Sequence, residues 1–276
     1  MTISADTADA GYDPAFLGPE VPLPVPADGR GIRELRYPRF TVVLDPVRRL
    51  AVTTAVNIDG SALRDVPRTG DWRLDERIPA SEQAGPEIYA RNDLDRGHLV
   101  RRRDPGWGEP VTARVATEAT FRYPNAAPQV NVFNQSKDLW LGLEDHVLAY
   151  AEATDARVSV FTAPVLDADD PRYRGLQVPR RFYKIAAWAD DGVGTLQLRS
   201  AGFVLDQSDV LRLEAEALAV PPLAAFRTFQ APVADIAALA GVDLGPLASA
   251  DVLATTTARG GGDWRPLRAA EDISLG

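Results

Sequence analysis

Cysteine is absent from this 276-residue chain, which removes disulfide frameworks and thiolate metal sites and leaves the redox compartment open. Any metal must then be held by oxygen or imidazole donors, a restriction that suits hard cations such as Mg²⁺. Histidine is nearly absent: His98 and His146 are the only two, so acid–base chemistry near neutral pH has few carriers. No apolar run approaches the roughly 18 residues needed to span a bilayer. The N-terminal MTISADTADA carries acids where a signal peptide carries positive charge. A soluble protein without a membrane partner is expected, cytoplasmic or exported by a route that needs no cleavable signal. Positive charge is also in deficit, with 30 Lys and Arg against 39 Asp and Glu and a net charge of −9. That balance argues against a chain that coats nucleic acid through a generally basic surface.

What is present is enough apolar residue, 45% of the chain, to bury a substantial core. Residues 1–30 hold repeated Pro, Gly and Asp without a period and read as an extended N-terminal arm. The main domain is expected over 31–250, with 251–276 as a flexible or turning tail around the Gly260–Gly262 run. From Arg36, RYPRFTVVLDP and RRLAVTTAVNIDG are β-branched runs joined at Asp45-Pro46, a hairpin signal. Residues 61–92 are polar and broken by Pro and Gly, a long loop of the functional kind. A helix is predicted over Thr112–Phe121. A second is predicted over Ser136–Ala153, where Leu139, Leu143, Val147 and Tyr150 make an amphipathic stripe. ARVSVFTAPVL, RRFYKIAAWA and GTLQLRSAGFVL read as strands, with a turn at Asp190–Gly194, and residues 231–244 as a short helix. Strands and helices are mixed rather than alternating, so the class is α+β: a central antiparallel sheet with helices on its faces.

One segment opposes the global charge. Between Arg91 and Arg103, five arginines (Arg91, Arg96, Arg101, Arg102 and Arg103) face only Asp93 and Asp95, a candidate phosphate-facing strip. Within it, Asp95-Arg96-Gly97-His98 places an imidazole beside an arginine, with a glycine whose backbone freedom can present both. An arginine fork suits a phosphate, and the imidazole can take a proton from water. His146, on the predicted helix, lacks such company. Asn125, Asn131, Asn134 and Glu144 offer oxygen ligands for a hard cation. They read equally well as turn, cap and solvated helix residues, and spacing alone does not decide.

DRGH at 95–98, followed by PNAAPQ at 124–129, FNQ at 133–135 and LWLGLE at 139–144, resembles the DNA/RNA non-specific endonuclease family, the ββα-metal nucleases. The core resemblance covers about residues 90–150. VFTAPVL, the Tyr183-Lys184 strand and FVLDQ continue it to about 207, and the hairpin ending in AVNIDG is similar to bacterial members.

The resemblance implies a ββα-metal fold in which His98 is the general base, Asn134 binds the metal directly and Glu144 orients metal-bound waters. It further implies that Arg96 stabilises phosphate, that Asn125 supports His98 or the phosphate by hydrogen bonding, and that Asp95 is structural. The cofactor implied is Mg²⁺, with Mn²⁺ as the alternative. Substrates would be DNA and RNA cut without regard to sequence to give 5′ phosphates.

Two departures stand out. The separation of ten residues between Asn134 and Glu144 is two longer than is common in the family, the extra pair preceding Trp140. The motif also runs into Leu-Val-Arg-Arg-Arg, which makes Arg101, Arg102 and Arg103 expected phosphate contacts. A further loop arginine of some relatives matches either Arg68 or Arg73. A catalytically silent binding module and a phosphodiesterase of small molecules are the competing readings. The oligomeric state is open, a homodimer being one option.

Overall fold

The β-branched runs form an eight-stranded antiparallel sheet. In the computed structural model the described residues are 10–130, 140–191, 194–209, 211, 227–254, 264–269 and 272–275; for 140–146 the backbone alone is described. The strands are β1 (Val25–Pro26), β2 (Arg33–Tyr37), β3 (Phe40–Asp45), β4 (Leu50–Asp59), β5 (Leu94–His98), β6 (Ala126–Val130), β7 (Arg157–Val165), β8 (Arg172–Tyr173), β9 (Leu176–Gln177), β10 (Arg181–Asp191), β11 (Leu196–Asp206), β12 (Arg227–Ala231), β13 (Val242–Asp243) and β14 (Arg265–Leu267). Helices are α1 (Pro86–Tyr89), α2 (Pro110–Ala119), α3 (Trp140–Ala153) and α4 (Val233–Ala240). The main sheet runs β14-β12-β11-β10-β7-β4-β3-β2. The α+β class and the central antiparallel sheet are therefore as expected. Of the predicted helix over 136–153, residues 136–139 lie outside the described residues, as does the Gly260–Gly262 run.

Both faces of the sheet are covered, because alternate side chains of its central strands are apolar on both sides. Phe182, Ala186 and Trp188 of β10 join Phe203 and Leu205 of β11 on one face. Tyr183, Ile185 and Ala187 join Phe161 and Val204 on the other. The first face receives the β5–β6 hairpin through Leu94, Ala126, Ala127 and Val130, and α3 through Val147, Leu148 and Ala151. α2 is capped by Glu109, whose carboxylate accepts from the amide of Thr112 at 2.9 Å.

The second face takes up side chains from the N-terminal segment that reads in the sequence as an extended arm. Tyr12, Phe16, Leu17 and Val21 are all buried there, each burial worth roughly 1.5–3 kcal/mol. The Tyr12 amide donates to Thr41 Oγ1 at 2.9 Å, the Asp13 amide to Asn57 Oδ1 at 2.7 Å, and β1 pairs with β13. Residues 10–26 are thus part of the fold. The C-terminal stretch is likewise partly built in, since β14 is the edge strand beside β12.

A side chain from the main sheet anchors the hairpin that bears the DRGH motif. Gln207, just past β11, accepts from the Val130 amide at 3.1 Å and donates to the carbonyl of Pro179 at 2.7 Å. The end of β6 is thereby tied to the sheet without a ladder of its own.

Candidate active site

β5 and β6 are antiparallel, with Leu94 opposite Val130 and His98 opposite Ala126. Strand pleating sends Arg96 and His98 to one side and Asp95 and Gly97 to the other. On that other side lies the reason for the glycine. A Cβ at position 97 would sit 2.1 Å from Oε1 of Gln129, whose side chain crosses the strand there. Gly97 does not take a left-handed φ, so the expectation that it lends the motif backbone freedom is corrected: the requirement is space.

Beyond β5 the chain is clamped. The Leu99 amide donates to the Asn125 carbonyl at 3.0 Å. The Asn125 side chain accepts from the Val100 amide at 2.8 Å and donates to the carbonyls of Val100 and Thr120, both at 2.9 Å. Of the two kinds of support foreseen for Asn125, these bonds hold the backbone next to His98 rather than the imidazole or a phosphate.

The His98 ring is enclosed by aromatics. Trp72 lies 4.5 Å away, centroid to centroid, at an interplanar angle of 47°. Phe121 approaches at 4.9 Å and 88°. The residue keeps some solvent contact, yet Nε2 is sealed and has no hydrogen-bond partner. Burial, and then the charges of Arg68, Arg102 and Arg101, push the imidazole down to about 3. It is neutral at physiological pH.

The arginines divide by partner. Arg102 donates to the Val66 carbonyl at 2.6 Å, drawing the 61–70 loop against the segment after His98. The Arg101 amide donates to Asp104 Oδ2 at 3.3 Å. Arg68, Arg96 and Arg103 make no side-chain hydrogen bond or ion pair among the described residues. Elsewhere arginines are matched with acids, as Arg33 with Glu82, Arg48 with Asp170 and Arg77 with Asp75. Of the two loop arginines, Arg68 bears on His98. Arg73 instead lines a surface cleft of about 720 Å³ with Arg77 and Arg122.

Asn134 lies outside the described residues, and so does the side chain of Glu144 on α3. Among the described residues no group of three or more His, Cys, Asp or Glu is placed to hold a metal ion. The groups described around His98 are cationic and suit a phosphate. Asn134 and Glu144, the two residues expected from the sequence to serve a metal, carry an amide and a carboxylate, oxygen donors of the kind Mg²⁺ takes. Trp72 and Phe121 were missed in the sequence; the one local signal was a tryptophan set in an otherwise polar loop.

A protein of Sinorhizobium fredii (strain NBRC 101917 / NGR234), the uncharacterised y4fB, is 38% identical over 287 residues, covering 95% of this chain and 42% of that protein. Mitochondrial endonuclease G of Bos taurus is 29% identical over 175 residues, with 58% of this chain and 56% of the relative covered. The human protein of the same name is 27% identical over the same span. The chain therefore spans roughly half the length of these curated relatives. In fold it is similar to a chain in the crystal structure of the EndoG/EndoGI complex, at a TM-score of 0.56 and 21% identity over 77% of this chain and 84% of that one. The model of the DNA/RNA non-specific endonucleases matches residues 24–251, a stretch that holds the hairpin, the clamp and the arginines just described, and the chain belongs to that family.

Proposed function

We propose that this chain hydrolyses phosphodiester bonds of DNA and RNA without regard to sequence, leaving 5′ phosphates, with His98 as the general base. The observation that carries the reading is His98 on the same side of β5 as Arg96, with the charges of Arg68, Arg102 and Arg101 close enough to hold its pKa down, in a chain whose net charge is −9. A general base must begin unprotonated, and the surroundings of His98 keep it so. The same cations weaken it as a base, and a phosphate bound against them offsets that effect.

Arg96, on the His98 side of β5, stabilises the phosphate under attack. Arg103 and Arg68 extend the positive path, with Arg101 and Arg102 beside the ring. Asn125 acts at one remove by fixing the chain at Val100. These groups address phosphate and water and read no base edge, which supports slight sequence preference. Asn134 would hold a divalent cation, Mg²⁺ with Mn²⁺ as the alternative, and Glu144 would stand by its water shell. Such an ion, when bound, supplies charge neutralisation worth several kcal/mol.

The experiment is plasmid cleavage with MgCl₂ and then with EDTA, for the wild type and His98→Ala. Nicking only with the metal, and a loss of about 10² to 10⁴ in rate for His98→Ala, is the expected result. Wild-type cleavage by His98→Ala overturns the assignment. Activity on bis-p-nitrophenyl phosphate with none on polynucleotide would move the substrate to small phosphodiesters.

A further inference from the structure

A histidine that takes a proton from water must hold its ring in one plane, and a hydrogen bond to its far nitrogen commonly does this. His98 has no side-chain hydrogen bond among the described residues. The charged groups that bear on it, Arg68, Arg101 and Arg102, have donors only and cannot accept one. Among the described residues, the aromatic rings against the imidazole are those of Trp72 and, perpendicular to it, Phe121.

Trp72 is itself held from several directions. The Arg73 amide donates to the Phe121 carbonyl at 3.0 Å, and the Tyr123 amide donates to the Arg73 carbonyl at 3.0 Å. The indole meets Phe121 at 5.5 Å and 69° and Tyr123 at 5.9 Å and 39°. Two residues earlier Gly70, at φ +135°, lets the loop lie on the Phe121 ring, since a Cβ there would be 2.8 Å from Cδ2. The loop is thus pinned to the end of α2 so that the indole comes to rest against the imidazole. Trp72 packs at the margin of the core that covers the first face of the sheet, and from there its ring reaches the imidazole. Trp72 is half-buried and its ring contacts are with His98, Phe121 and Tyr123.

We propose that Trp72, backed by Phe121, is the positioning residue of the base, fixing the plane of the His98 ring by aromatic contact where other sites use a hydrogen-bonded partner. The inference rests on His98 being the base. It separates ring orientation, supplied by the 70–73 loop, from backbone position, supplied by Asn125.

The test uses the full chain and two readouts. Because only two histidines exist, imidazole proton resonances are assignable with a His146→Gln variant. The His98 ring protons in the wild type should be shifted upfield by the indole ring current, and should move toward ordinary values in Trp72→Leu. Kinetics with Mg²⁺ on a fluorogenic oligonucleotide should show kcat reduced about 10- to 100-fold in Trp72→Leu, as a misplaced catalytic group predicts. KM should stay within about threefold, and the acid limb of the kcat profile should move to higher pH as water reaches the ring. Trp72→Phe, which keeps an aromatic face, should recover kcat to within about threefold of wild type.

Ordinary shifts for His98 in the wild type overturn the proposal, as does unchanged kcat in Trp72→Leu or equal impairment of both Trp72 variants. If Trp72→Leu does not fold, the wild-type shifts and Trp72→Phe decide between the same outcomes. Wild-type activity in His98→Ala removes the base reading and the proposal with it. An inactive His98→Ala beside a fully active Trp72→Leu removes the proposal alone.

Discussion

Asn125 grips Val100 from both directions, accepting from its amide at 2.8 Å and donating to its carbonyl at 2.9 Å. With the added bond to Thr120 O at 2.9 Å, one fully buried side chain satisfies three backbone groups. Asn125→Ala should leave those groups unpaired at about 1–3 kcal/mol each, a total of roughly 3–5 kcal/mol once the segment relaxes. Thermal unfolding checks this. Asn125→Asp keeps the acceptor but turns an oxygen toward two carbonyls, and should be at least as damaging at neutral pH as at pH 4, where a protonated acid can donate to one of them.

At Gly97 the prediction is a coupling. Gly97→Ala places a methyl 2.1 Å from Gln129 Oε1, so the Gln129 side chain must turn away, at a cost of about 1–3 kcal/mol. Shortening the obstacle should relieve it: Gly97→Ala with Gln129→Ala should be more stable than the sum of the two single changes by about 1 kcal/mol. A denaturant-derived double-mutant cycle that closes additively would contradict the contact.

The enclosure of His98 carries a pH signature. Its folded value is pushed down to about 3 from an ordinary 6.5, so below 6.5 the unfolded chain binds a proton that the native state refuses. Stability from this group is complete above about 6.5 and is lost as pH falls toward 3. Between pH 7 and pH 4 the loss should be on the order of 2–3 kcal/mol. A His98→Gln variant should lack that component, so the difference in unfolding free energy between variant and wild type should shift in the variant's favour on acidification. Parallel urea titrations at the two pH values make the comparison.

For substrate binding, Arg68, Arg96 and Arg103 are the arginines near His98 whose side chains have no partner among the described residues. Changing Arg103 to Ala should weaken binding of all sequences alike and lower the slope of log affinity against log salt by about 1. Arg77→Ala, whose guanidinium is paired with Asp75 at 2.7 Å, should leave the slope unchanged. Fluorescence anisotropy of a labelled oligonucleotide in EDTA, across a salt series, reads both.

Some of this was open to inspection in the chain alone. The β-branched runs at 40–45, 50–59, 157–165, 181–191 and 196–206 became strands because side-chain branching and the period of two are local properties. The helix expected over 112–121 begins two residues earlier, where Glu109 caps it. The packing of residues 10–26 is not legible in the chain, because an irregular segment shows no period even where it inserts Tyr12, Phe16, Leu17 and Val21 one at a time into a sheet face.

The sequence by itself determined the family, the strand-forming segments, and the pairing of an imidazole with arginines in a chain otherwise short of positive charge. Only the tertiary structure decided that Trp72 and Phe121 enclose His98, that Arg68 rather than Arg73 bears on it, and that Gly97 is there to make room for Gln129. The physical reason is that these relationships join segments far apart in the chain through backbone bonds such as Arg73 N to Phe121 O and through packing volume. Neither leaves a periodic trace in the residues that take part.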